Sequence, residues 1–127
     1  MSNRDQKGRM SMENNKVYNY KFADILKLYI QKVERKGHTA AEVNQVLIWL
    51  TGYDQSGIDH AVQEEITLGV FCEEMPALNP NASLIKGVIC GHRVEEIEDP
   101  FMRRVRYMDK LVDEVAKGKK MEKIRRS

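Results

Sequence analysis

Cys90-Gly91-His92 is the segment whose residue types come closest to doing chemistry. A thiol two residues from an imidazole pairs a nucleophile with a general base, the arrangement that activates cysteine in covalent catalysis. The same side chains are also metal ligands. Structural zinc, however, takes four ligands, usually as closely spaced pairs of Cys or His. The chain offers Cys72, Cys90, His38, His60 and His92, and no pair repeats a spacing. No metal is expected, and no cofactor. Gly87 and Gly91 open no phosphate loop, and neither a dinucleotide fingerprint nor a Gly-x-Ser-x-Gly elbow occurs. Against a catalytic Cys90 stands the usual behaviour of cysteine as a small, inert, buried hydrophobe. An enzyme is therefore the rival reading and not the leading one.

Two charged clusters carry residue types that bind ions. Glu95, Glu96, Glu98 and Asp99 would suit a hard cation, but they lack the alternating oxygen ligands and central glycine of a calcium loop. They surround the start of a helix, where the dipole favours negative charge, and that explains them. Arg103, Arg104, Arg106 and Lys110 line the polar side of the same helix, and Lys117, Lys119, Lys120, Lys123, Arg125 and Arg126 extend the charge. Such a helix would suit phosphates. Asp109, Asp113 and Glu114 interrupt it, and no recognised nucleic-acid module accompanies it. A solvated face is favoured over nucleic-acid binding.

The elements that position these residues follow from length and pattern. The chain has 127 residues, 42% hydrophobic and 31% charged, a globular balance for one domain able to fold without disulfides or metal. The core is expected to be aliphatic, since aromatic residues make up only 7% and Trp49 is the single tryptophan. No apolar run approaches the roughly 20 residues that span a bilayer, and no signal-peptide centre precedes Lys16. A cytoplasmic protein without membrane contact is expected, with Cys72 and Cys90 as reduced thiols. The net charge of +2 divides unevenly. Residues 1–36 carry nine basic and four acidic groups, residues 37–100 two and eleven, and residues 101–127 ten and four. The simplest reading has the basic ends folding against the acidic middle.

Met1 to Asn15 has no periodic apolar pattern and reads as a disordered leader or expression remnant, with Met12 as a second start. From Phe22, the residues Ile25, Leu26, Tyr29, Ile30 and Val33 recur at helical spacing until Gly37. Thr39-Ala40-Ala41-Glu42 is a capping box that opens a second helix, with Val43, Val46, Leu47 and Leu50 as its stripe and Gly52 as its stop. Together they form an αα-hairpin. Asp54 to Glu65 reads as a weaker helix, and Thr67 caps a short one from Leu68 to Met75. Pro76 and Pro80 enforce a loop. Leu84 to Cys90 fits either a buried strand or a short helix. Because a lone strand would lack a partner, helix or irregular structure is expected. Asp99-Pro100 starts a long closing helix that ends at Gly118. Residues 119–127 form a basic tail. The fold expected is all-α, a compact orthogonal array of about five or six helices, with the domain spanning 16–118.

Several stretches together carry a resemblance: Val33 to Gly37, Ile48 to Tyr53, Asn79-Pro80, Gly87 to Gly91, Arg93 to Pro100 and Arg106 to Glu114. From about Lys16 to the C-terminus the chain resembles the domain of unknown function 2200 family of small bacterial proteins. The resemblance implies a compact, mainly helical domain and no assigned activity. His92 and the residues before Met12 stand outside the family pattern.

The expected function is a small binding or interaction module, with a protein partner or a second copy of the chain preferred over nucleic acid. Trp49, Tyr53, Cys90, His92, Arg93 and Glu95 form its candidate surface, because tryptophan, tyrosine and arginine are the residue types that anchor partners.

Overall fold

The computed structural model describes residues 12–126. Among these residues are seven α-helices: α1 Met12–Tyr18, α2 Phe22–Glu34, α3 Ala40–Thr51, α4 Gln55–Gln63, α5 Leu68–Glu73, α6 Pro100–Ala116 and α7 Met121–Ile124. Between α5 and α6 lies a two-stranded antiparallel hairpin, β1 Val88–Ile89 and β2 His92–Arg93. No helix among the described residues is long and apolar enough to cross a membrane.

The helix starts sit where side-chain oxygens satisfy otherwise orphaned amides. At α3 the Glu42 amide donates to Thr39 Oγ1, and the Thr39 amide returns a bond to Glu42 Oε1 at 3.0 Å. Asp54, Thr67 and Asp99 accept from the amides of Gly57, Val70 and Met102. Each such cap stabilises its helix by about 1 kcal/mol. Gly52, at φ 80°, ends α3 in the left-handed conformation.

Helix α6 runs through the centre. Its Met108, Leu111 and Val112 are fully buried with Val33 of α2 and Leu47 and Leu50 of α3, within one continuous core. Three aromatic residues form one stack. Phe22 lies on Phe71 with centroids 3.8 Å apart, and Tyr53 lies on the same Phe71 ring at 4.5 Å. A short antiparallel bridge ties Lys21 to Thr67, with the Leu68 amide donating to the Tyr20 carbonyl at 2.7 Å. It fixes the start of α5 beside the start of α2.

Three expectations need correction. First, Leu84 to Cys90 is neither a helix nor an unpaired strand. A 3-10 turn, Pro80–Leu84, precedes it, and Val88–Ile89 is a true strand. Its partner follows directly after a tight turn: Val88 faces Arg93 and Ile89 faces His92. Second, α1 begins at Met12, so Met12 to Asn15 belong to a helix and not to the leader. Residues 1–11, the rest of the expected leader, lie outside the described residues. Helix α1 docks through Tyr18, whose ring lies directly against Gly69 of α5, where any side chain would collide with it. Third, the basic tail is docked. Ile124 of α7 is 1% exposed, and Arg126 grips Glu114 with two bonds of 2.8 and 2.7 Å.

The charge blocks also pair differently from the simple picture. Among the described residues, Lys21–Glu65 is the one ion pair joining a basic end to the acidic middle. Most others lie within the closing segment or run to it. Asp113 holds Lys32 and Lys117, and Glu114 holds Lys119 and Arg126. Asp113 and Glu114 are 9% and 7% exposed, so these acids interrupt no solvated face. They are buried acceptors for lysine and arginine arms.

Candidate functional site

The hairpin gathers four of the six residues singled out in the sequence. Cys90 and Gly91 form its two-residue loop, both at positive φ (53° and 80°), as a tight hairpin turn requires. Glycine adopts this conformation freely, whereas for Cys90 it is uncommon. The thiol is exposed, and so is His92. No hydrogen bond joins them among the described residues, and Cys90 lines neither of the clefts described below. The nucleophile–base pair is not assembled. Glu95 is a clip at the base of the hairpin. It accepts the Gly87 amide at 3.0 Å while the Val94 amide donates to the Gly87 carbonyl at 2.9 Å. The bond from the Gly87 amide, with help from Arg93 at 3.5 Å, holds the Glu95 carboxyl below its ordinary pKa.

Trp49 and Tyr53 lie elsewhere, at the end of α3. Both pack half-buried against the core. The Tyr53 hydroxyl donates to the Phe71 carbonyl at 2.8 Å, and burial pushes its pKa up to about 12. With ring and hydroxyl both engaged inside the chain, Tyr53 is a structural tyrosine. The Trp49 carbonyl accepts from Asn79, which fastens the proline loop.

The basic side of α6 is engaged as well. Arg103 Nε donates to the Ile97 carbonyl at 2.6 Å, and Arg104 donates to the Cys72 carbonyl at 2.7 Å. These guanidiniums cap loop and helix carbonyls. Cys72 itself is 2% exposed, and burial pushes its thiol up to about 12.

One concave feature was not anticipated from the sequence. A cleft of about 220 Å³ opens between α1, α2 and α6. Val17, Ile25, Leu68, Met102 and Val105 wall it. Its polar elements are Tyr29, Asp109 and Arg106, which satisfy one another. The Tyr29 hydroxyl donates to Asp109 Oδ1 at 2.6 Å, and Arg106 donates to Oδ2 at 2.9 Å. Burial, then the Asp109 charge, raises the Tyr29 phenol well above its ordinary value. Two of the chain's exposed large apolar residues, Leu28 (57%) and Tyr20 (40%), also line the cleft.

A second cleft of about 260 Å³ shares Met102 and Arg106 with the first and adds Asn14, His92, Ile97 and Asp99. Of the six residues proposed for the candidate surface, His92 alone reaches either cleft. No group of three or more His, Cys, Asp or Glu among the described residues is placed to hold a metal ion. Tyr29 and Asp109 were missed because they are 80 residues apart. A faint signal existed: Asp109 falls between Val105 and Val112 at helical spacing, at the edge of a buried face.

The fold and clefts define a small, mainly helical domain with a preformed apolar cleft. Residues 16–126 match the model of a family described as uncharacterized protein conserved in bacteria (DUF2200), and the chain belongs to that family. A solved relative, the crystal structure of uncharacterized protein SP1917, is similar over 91% of this chain and 92% of its own. Its identity is 45% and its TM-score 0.84. Comparison with curated proteins finds no match.

Proposed function

We propose that this protein is a cytoplasmic interaction module whose cleft between α1, α2 and α6 receives an apolar side chain from a protein partner. The observation that carries this reading is the position of Leu28 and Tyr20. Two exposed large apolar side chains border a cleft whose walls are already apolar. Exposed apolar surface continuous with a pocket favours a docking partner larger than the pocket. The polar groups support a side chain over a polar metabolite. Tyr29, Asp109 and Arg106 bind one another, so a polar ligand would have to break bonds already made. The compartment is supported by the two unpaired cysteines, which a reducing environment leaves as thiols.

Peptide-library selection on the immobilised protein tests the reading. Leu28→Asp places a charge at the cleft, and the native exposure of Leu28 lets the variant fold. Leu84→Asp, at a similarly exposed residue (51%) that lines neither cleft, is the control. Peptides selected on the wild type are expected to carry a large apolar anchor and to lose about ten-fold in affinity or more on Leu28→Asp alone. Equal binding to both variants would count against the cleft.

A further inference from the structure

A second apolar groove lies on the other flank of α2, between it and α4, and α2 carries a charge pattern that fits itself. The groove has a volume of about 360 Å³. Leu26 and Ile30 form one wall and Val62 the other, and Lys27 and Glu34 also line it. The Lys27 and Glu34 side chains are exposed and make no ion pair or hydrogen bond among the described residues. They stand seven residues apart, two turns along one face of the helix, a separation of about 10 Å.

From this spacing we infer that the chain forms a symmetric dimer in which α2 packs antiparallel to α2 of a second copy. A two-fold axis through the Ile30–Gln31 level places Lys27 of each copy opposite Glu34 of the other. Symmetry makes both pairs at once, as an isologous interface requires. Leu26, Ile30 and Val62 of the two copies close on each other between the ion pairs. No other occupant is needed to explain why an apolar strip bears one unpaired charge of each sign. The apolar groove residues Leu26, Ile30 and Val62 are half-buried, so the interface belongs to the small class, below about 1,200 Å² in total, and the dimer is weak and concentration-dependent. This groove is separate from the cleft of the proposed function, and the two claims succeed or fail independently.

Charge reversal tests the inference by sedimentation velocity over a concentration series on the full chain. The wild type is expected to shift from monomer to dimer with rising concentration. Lys27→Glu and Glu34→Lys are each expected to weaken the dimer about ten-fold or more, because each sets like charges opposite one another. The two single variants mixed together are expected to form a heterodimer, since the two Glu of one copy then face the two Lys of the other at both ends. The double variant K27E/E34K is expected to recover self-association, since every Glu again faces a Lys. Circular dichroism confirms folding of each variant. A wild type that stays monomeric up to about 1 mM overturns the inference, that range covering weak complexes. So does a dimer indifferent to both reversals, or a double variant that fails to associate.

Discussion

The Tyr29 hydroxyl donates to Asp109 Oδ1 at 2.6 Å and joins α2 to α6 across 80 residues of sequence. Arg106 occupies the second carboxylate oxygen, so one carboxylate satisfies two donors at the cleft. Asp109→Ala strands the phenol and the guanidinium together, whereas Tyr29→Phe removes the donor and leaves Asp109 paired. The expected losses are about 3 kcal/mol for Asp109→Ala and about 1.5 kcal/mol for Tyr29→Phe, because an abandoned buried partner costs more than a deleted one. Urea unfolding measures both. Equal losses would contradict the shared-acceptor arrangement.

Stability should fall in acid partly through Asp113. Burial raises this carboxyl, but hydrogen bonds from Lys117 and Lys32 outweigh that and leave its pKa below the ordinary 3.8. The folded value lies under the unfolded one. The contribution is therefore complete above the unfolded value and drains away as pH falls through the native value. Unfolding free energies for wild type and Asp113→Asn should differ at about pH 6 and converge below about pH 3. A constant gap across that range would refute the assignment.

Gly69 sets the position of α1. A side chain there collides with the Tyr18 ring, which also packs 5.4 Å from Phe101. Gly69→Val should release α1 and remove Val17 from the cleft wall. Trypsin cleavage at Lys16 and Lys21 should then accelerate by about ten-fold or more, as expected when a helix loses its docking contact. Unchanged protection would mean that α1 is held by something else.

The two thiols should behave as opposites. Cys90 is exposed on the hairpin turn, whereas Cys72 is 2% exposed with its thiol pushed up to about 12. A disulfide reagent at neutral pH should modify one thiol per native chain at once and the second only on unfolding. Prompt modification of both would show that the core around Cys72 opens readily.

Much of the helical frame was legible because its causes are local. Thr39 with Glu42, Thr67 and Asp99 with Pro100 mark helix starts through side chains only a few residues from the amides they satisfy. The spacing of Val43, Val46, Leu47 and Leu50 likewise marked a buried face. The hairpin escaped because its signal is the left-handed Cys90, a residue type that does not announce a turn. Tyr53 and Arg104 looked like surface residues until Phe71 and Cys72 supplied their partners across the fold. The cleft was invisible for the same reason: Tyr29 read as one more apolar stripe residue, and its partner Asp109 as one charge among many.

The most direct test of the cleft is a methyl NMR titration of the full chain with N-acetyl-leucine amide as the probe. Saturable shifts should concentrate on Leu28, Leu68, Met102 and Val105, and Leu28→Asp should reduce them. Shifts spread evenly over the surface, or centred on Leu84 and Val88 instead, would contradict the account.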